Sequence, residues 1–257
     1  MEKWQEILLE QGVDTAACIP FSACRVQRPH LLHFAPKCAI LFAVPYLTEK
    51  PAMHRVSMYA ASEDYHIFFQ QLFEHCTPLM EKAYPGTVWQ GFSDHSPIAE
   101  GEAAARAGLG LIGDNHLLIT QKYGSYIFLG EFLTDADLVC KTAGDIPNCR
   151  HCGNCTRRCP GCDPCLSALT QKKGTLTPEE ESRICKWGSA WGCDICQLVC
   201  PENEGVQCTP IPFFYANRMP DPDAATVRAM SDEAFARRAF AWRGRETVLR
   251  NLTLLER

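Results

Sequence analysis

The sequence predicts a mixed α/β (α+β) fold joined to a small domain organised by metal. Three features of the 257 residues point there. Cys38-Ala39-Ile40-Leu41-Phe42-Ala43-Val44 is an unbroken apolar run closed by Pro45, the pattern of a strand covered on both faces. Tyr65, Phe68, Phe69, Leu72, Phe73, Cys76, Leu79 and Met80 recur at steps of three and four, which places them on one face of a long helix. From Asp135 onward cysteine, glycine and proline replace this periodic material, and ten of the sixteen cysteines fall between Cys149 and Cys200.

In chain order, Lys3 to Gln11 reads as a short amphipathic helix that Gly12 ends. After the apolar strand and the long helix, Pro85-Gly86 breaks the pattern. Thr87 to Phe92 then predicts a short strand and Ile98 to Ala107 a helix rich in alanine and glutamate. His116 to Thr120 and Tyr126 to Leu133 predict two more strands, with Tyr123-Gly124 as a hairpin between them. The expected domains are an α/β domain over 1–138, a cysteine-rich domain over 139–212 held by metal rather than by a hydrophobic core, and a helical segment over 213–257. That last segment carries Arg237, Arg238, Arg243, Arg245 and Arg250, read as a solvated helical face, with a local RNA patch as the alternative.

Composition narrows the class. Hydrophobic residues make up 46% and charged residues 21%, so a sizeable core can be buried. A net charge of -5 excludes a global positive field, and any RNA contact must be local. The opening Met1-Glu2-Lys3-Trp4-Gln5-Glu6 is acidic where a signal peptide is basic, and the longest apolar run falls far below the about 20 residues that span a bilayer. The expectation is a soluble, cytoplasmic protein without a membrane partner. In a reducing compartment, clustered thiolates are metal ligands sooner than disulfides. Cys18, Cys24, Cys38 and Cys76 lie among apolar neighbours and read as small core residues.

Cys149-x2-Cys152-x2-Cys155-x3-Cys159-Pro160 has the spacing of a bacterial ferredoxin run, in which three thiolates hold one 4Fe-4S cluster and the fourth crosses to another. Cys193-x2-Cys196-x3-Cys200-Pro201 repeats the pattern short of one thiolate, which Cys165 or Cys185 supplies. The crossover assigns Cys149, Cys152, Cys155 and Cys200 to one cluster, and Cys159, Cys193, Cys196 and Cys165 to the other. Cys162 is an extra thiol in that segment. Zinc is the competing metal, because paired Cys-x2-Cys units also build zinc ribbons, but a zinc site needs neither two Cys-Pro endings nor eight spaced thiolates, and four cysteines within eleven residues crowd a single ribbon. Two adjacent clusters suit electron relay to an acceptor held by the first domain.

Gly108-x-Gly110-x-x-Gly113 fits the dinucleotide fingerprint as a bare pattern. Its context is reversed, with helical sequence before it and strand-like sequence after it, so the glycines serve a tight turn or close approach to a flat cofactor.

The stretch Ala105-Arg106-Ala107-Gly108-Leu109-Gly110-Leu111-Ile112-Gly113-Asp114-Asn115, with Leu118-Ile119-Thr120 and Tyr123-Gly124-Ser125-Tyr126-Ile127-Phe128-Leu129-Gly130-Glu131, resembles the epoxyqueuosine reductase family. So do the run from Cys165 to Gly174, Trp191-Gly192-Cys193-Asp194-Ile195-Cys196-Gln197, the weaker Tyr59-Ala60 and Asp64-Tyr65-His66, and Leu249-Arg250-Asn251. The resemblance spans nearly the whole chain. It implies a nitroreductase-like domain carrying cobalamin, fed by a two-cluster ferredoxin-like module, a plan shared with reductive dehalogenases. It further implies an oxidoreductase of queuosine biosynthesis and tRNA processing, which removes the epoxide oxygen of epoxyqueuosine in tRNA. An external low-potential donor such as flavodoxin or ferredoxin would supply the electrons.

Carried over residue by residue, the resemblance makes Asp94 the proton donor, and makes Gly108, Gly110, Gly113, Asn115, Tyr123, Gly124 and Ser125 cofactor contacts. A proton donor at Asp94 needs its pKa raised from near 3.9 by burial; read without the resemblance, Asp94 caps the following helix or turn. The Asp-x-His-x-x-Gly motif for histidine ligation of cobalamin is absent, because Ile67, Phe68 and Phe69 follow His66. Asp114 stands where many members have lysine, and the chain stops after Leu249-Arg250-Asn251 where longer members continue into helical repeats that help hold tRNA. A free nucleoside, a small-molecule substrate as in dehalogenation, and a non-enzymatic electron carrier are the alternatives.

Overall fold

In the computed structural model, which describes residues 1–257, the expected apolar strand is the second of four in an antiparallel sheet. Helix α1 (Lys3–Glu10) leads into strand β1 (Thr15–Pro20), then come β2 (Cys38–Pro45), helix α2 (Tyr65–Ala83), β3 (Trp89–Phe92), α3 (Glu100–Arg106), β4 (Leu111–Ile112), β5 (Leu118–Ile119) and β6 (Ile127–Thr134). The sheet order is β1-β2-β6-β3. Strand β1 was not anticipated: Thr-Ala-Ala-Cys-Ile-Pro has no polar-apolar alternation, and only an edge strand tolerates Pro20, which has no N–H to give a ladder.

The residues divide into two compact units, one of Met1–Tyr46, Phe68–Cys152 and Glu202–Ile211, the other of Leu47–Ile67, Gly153–Pro201 and Pro212–Arg257. In the first, the two-residue period of the strands fixes what each face meets. Ala17, Ile19, Ala39, Leu41 and Leu133 pack with Ala103, Ala104 and Ala105 of α3, whose small side chains let the helix approach closely. On the opposite face Phe42 and Phe132 lie 6.0 Å apart, centroid to centroid, and meet Phe69 and Phe73 of α2.

The expected hairpin between the last two strands does not form. β5 pairs with β4, while β6 pairs with β2 and β3. Tyr123-Gly124 instead closes a small loop in which Thr120 and Gly124 exchange backbone hydrogen bonds of 2.9 and 3.0 Å. Asn203 holds that loop: its Oδ1 accepts from Ser125 N at 2.9 Å and its Nδ2 donates to Ser125 Oγ at 2.8 Å.

The second unit contains the short helices α4 (Asn154–Arg158), α5 (Leu166–Thr170), α6 (Pro178–Trp187) and α7 (Ile195–Leu198), followed by α8 (Ala224–Ala229), α9 (Asp232–Ala236) and α10 (Arg245–Leu255). Thr177 and Glu180 form a capping box at the start of α6, and Gly188 ends it in the left-handed conformation. Contrary to a domain held by metal alone, Leu166, Leu169, Leu176, Ile184 and Leu254 form one apolar cluster, and Val56, Trp191, Val227, Phe240, Val248 and Leu252 belong to another. α10 contributes to both.

The arginines of the last segment are not a uniformly solvated face. Arg238 is buried and donates to the carbonyls of Asn217 and Ala61, at 2.5 and 2.7 Å. Arg245 donates to Val227 O and Asp232, Arg250 to Lys172 O and Gly174 O, and Arg237 pairs with Glu63. Arg243 stacks on Trp242, 3.7 Å from the ring centroid. No helix is long and apolar enough to cross a membrane.

Candidate active site and cysteine constellation

Asp94 is exposed in the loop joining β3 to α3, with a φ of 62° that non-glycine residues seldom adopt. The backbone turns there because His95 N donates to Ser93 O at 2.7 Å, while the N–H of Asp94 donates to the carboxylate of Glu100 in the first turn of α3. Asp94 does not cap that helix with its side chain; Ala99 occupies the N-cap.

Two further carboxyls stand behind Asp94. Glu131 lies opposite Leu41 in the β2–β6 ladder, so the strand period aims it at α3 rather than at α2. It is wholly buried, Ser96 Oγ donates to its Oε1, and its Oε2 has no partner. Ser96 Oγ in turn accepts from Ile98 N at 3.0 Å, which fixes the hydroxyl. Burial, and then the charge of Glu100, push the Glu131 carboxyl well above the usual carboxylate range. Burial first and Asp94 second push Glu100 up to about 7. The arrangement is an exposed acid backed by two acids that hold protons near neutrality. Sequence reasoning missed both glutamates; the available signal was one charge, Glu131, inside the apolar run Tyr126 to Leu133.

The expected cofactor contacts fall in two places within the first unit. Gly108 follows α3 with a φ of 77°, and Gly113 N closes the β4–β5 turn on Leu117 O at 2.9 Å. Gly110 runs so close to β5 that a Cβ would collide with the Ile119 carbonyl. Asn115 accepts from Leu117 N at 3.3 Å through Oδ1, while its buried Nδ2 has no acceptor. Tyr123 is buried with its hydroxyl donated to Asp14 at 2.9 Å, and Gly124 and Ser125 are those fixed by Asn203. Side-chain-free backbone beside a buried amide donor suits the polar rim of a flat cofactor such as a corrinoid.

No disulfide joins any of the sixteen cysteines. Cys149 and Cys152 belong to the first unit; Cys155, Cys159, Cys165, Cys193, Cys196 and Cys200 belong to the second. α4 carries Cys155 and α7 carries Cys196; the two helices pack together, with Asn154 Nδ2 donating to Val199 O at 3.3 Å. Cys165 precedes α5, and Cys193 has Cys196, Asp194 and Cys165 as neighbours, with burial pushing its thiol up to about 12. Cys162 Sγ lies 3.6 Å from Cys159 Sγ, whereas Cys185 donates to Leu254 O at 3.5 Å. The donor set, thiols outside any disulfide carried on and around two packed short helices, fits iron–sulfur ligation.

Asp194, between Cys193 and Cys196, anchors their loop. Its carboxylate accepts from Ser57 Oγ at 2.6 Å, Met58 N at 2.7 Å and Gln197 Nε2 at 2.9 Å. Asp114 pairs with His151 Nδ1 at 2.7 Å next to Cys149.

No protein-family profile matches the chain. An epoxyqueuosine reductase of Lactococcus garvieae is 32% identical over 212 residues, 74% of this chain and 58% of the relative. One from Cellulophaga algicola is 30% identical over 216 residues, 77% of this chain and 67% of the relative. The first relatives are thus spanned over only 53% to 65% of their own length. Among solved structures, epoxyqueuosine reductase of Streptococcus thermophilus superposes with a TM-score of 0.82 at 24% identity, covering 98% of this chain and 79% of that one. An epoxyqueuosine reductase with an epoxyqueuosine-modified tRNA-Tyr stem loop gives 0.79 at 21% identity, covering 98% and 79%. The Bacillus subtilis protein, with a catalytic aspartate loop swung out of its active site, gives 0.78 at 22% identity, covering 98% and 79%.

Proposed function

The chain belongs to the epoxyqueuosine reductase family, and from that membership we propose that it reduces the epoxide of epoxyqueuosine in tRNA to queuosine, using cobalamin and two 4Fe-4S clusters. The observation that carries this reading is Asp94, an exposed acid on a constrained loop with two carboxyls behind it, Glu100 and Glu131, that burial pushes above the ordinary carboxylate range. Removing an epoxide oxygen as water consumes two electrons and two protons, so the site needs a proton source facing the substrate. Bound cobalamin would supply a low-valent cobalt able to take the substrate's C–O bond through reductive cleavage.

This chain's own residues do the rest. Asp94 would deliver a proton to the leaving oxygen, and Glu100 fixes the Asp94 backbone by accepting its N–H. Gly108, Gly110, Gly113, Asn115, Tyr123, Gly124 and Ser125 would hold the cofactor, Asn115 through its unpaired Nδ2. Cys149, Cys152, Cys155, Cys159, Cys165, Cys193, Cys196 and Cys200 would ligate the clusters. Cys165 is favoured over Cys185 as the eighth ligand, because the latter's thiol is turned to a helix carbonyl. Flavodoxin or ferredoxin is the class of electron donor, and the cytoplasm the compartment.

Asp94→Asn should lower turnover by about 100-fold or more while iron, sulfide and cobalt contents stay unchanged. Unchanged turnover would remove Asp94 from the reaction. A second reading, reduction of a free nucleoside or another small molecule, is favoured by one observation: the arginines of the last segment are largely committed to internal partners. Mass spectrometry of tRNA from a deletion strain separates the two. Accumulated epoxyqueuosine supports the tRNA reading, and normal queuosine eliminates it.

A further inference from the structure

Three cysteines outside the ferredoxin-like constellation converge in the first unit. Cys18 faces Ile40 in the β1–β2 ladder and Cys38 lies two residues before Ile40, so both side chains leave the same face of the sheet as diagonal neighbours. It is the face turned away from α3. After β6 the chain turns back across the ends of these strands. Cys38 Sγ donates to Ala136 O at 3.5 Å, and Lys141 N donates to Cys18 O at 2.8 Å. The turn brings Cys140 Sγ to 3.2 Å from Cys18 Sγ and 3.3 Å from Cys38 Sγ. All three sulfurs lie within 4.8 Å of one another. Cys18 and Cys38 are buried and Cys140 is half-buried, which leaves an approach from one side.

We propose that Cys18, Cys38 and Cys140 form a binding site for a single soft, thiophilic metal ion, with monovalent copper as the ion whose coordination it matches. Sulfurs bound at about 2.3 Å around one ion in a trigonal plane stand about 4 Å apart, so the contacts of Cys140 at 3.2 and 3.3 Å need open by less than about 1 Å to admit it. A structural zinc site wants four protein ligands. The group has three members, with no histidine or carboxylate among them. Thiolate selects soft ions such as Cu(I) over hard divalent cations. On binding, each of the three thiols gives its proton to solvent; the single charge of the ion offsets one of the three thiolates, so the filled site carries a net charge of about -2 and ion uptake strengthens as pH rises. The sulfurs are too far apart to be a disulfide, whose S–S length is about 2.05 Å.

The test uses the anaerobic, cluster-loaded protein and Cu(I) presented as its bicinchoninate complex. The wild-type chain should withdraw one more equivalent of copper than Cys140→Ser, a substitution on a half-buried turn that spares the strands. In the same samples, copper loading should slow alkylation of Cys140 by N-ethylmaleimide by about tenfold or more, read by peptide mass spectrometry. Cys38→Ser should abolish that protection. Equal copper uptake by wild type and Cys140→Ser overturns the proposal, as does an unchanged alkylation rate at Cys140. Iron measured alongside must stay constant; if the wild type takes up copper only as it releases iron, the ion has gone to cluster cysteines and the assignment fails.

Discussion

At the scale of single residues, the carboxyls behind Asp94 make a prediction about pH. Glu100 titrates at about 7 in the fold against an ordinary 4.5, chiefly because it is buried. Between those values the folded chain keeps a proton that the unfolded chain has released, so stability falls as pH rises through this window. Below it both states are protonated and the group contributes no pH dependence. Glu100→Gln retains an oxygen to accept the Asp94 N–H but has no proton to lose. Its stability loss between pH 5 and pH 8 should be smaller than that of the wild type by on the order of 2 kcal/mol. Denaturation midpoints of both proteins across that range check it, and parallel curves would show that Glu100 is not buried as described. Glu131 behaves in the same sense, so some dependence survives in the variant.

At the scale of elements, two substitutions probe contacts that local sequence does not announce. Gly110→Ala drives a methyl into the Ile119 carbonyl, so the β4–β5 hairpin must open or shift. A cost of about 2 kcal/mol is expected, with weaker cobalamin binding seen in the corrinoid's visible spectrum. Asn251, fully buried in α10, donates to Thr170 O at 2.7 Å and Ala190 O at 2.8 Å. Asn251→Ala strands both carbonyls and should cost about 3 kcal/mol in a thermal melt. The sequence made the central elements legible because their periods are local: the run at Cys38, the helix carrying Phe69 and the strand ending at Thr134 all appear where expected. The cysteine spacing was legible for the same reason. What failed depended on distant partners. The loop at Tyr123-Gly124 passes for a hairpin until Asn203, 78 residues onward from Ser125, is seen to hold it. The arginines pass for a solvated face until their carbonyl acceptors are in place. The glutamates behind Asp94 needed the register of β6, because only pairing with Leu41 shows which face Glu131 takes.

At the scale of the whole molecule, the distribution of apolar burial predicts which part of the chain depends on metal. From Cys149 to Cys165 no residue is buried, although this stretch contains six of the cysteines. Such a segment buries no side chain to offset its conformational entropy, about 1 to 2 kcal/mol per ordered residue, and beyond the contact of α4 with α7 it would rest on the proposed ligand bonds. From Leu166 the situation reverses: Leu166, Leu169, Leu176 and Ile184 share a core with Leu254, and Trp191 lies in a second with Phe240, Val248 and Leu252. The four-stranded sheet keeps its own core on both faces. Removing iron by anaerobic chelation should therefore leave amide exchange slow in β2, β6 and α10 and release residues 149–165 to exchange at nearly unfolded rates. Hydrogen-exchange mass spectrometry of the loaded and iron-free protein reads this directly. Global loss of protection would mean that metal ligation supports the cores as well. Protection retained across 149–165 would mean that the cysteines there are not cluster ligands, and the proposed electron path would have no iron to run through.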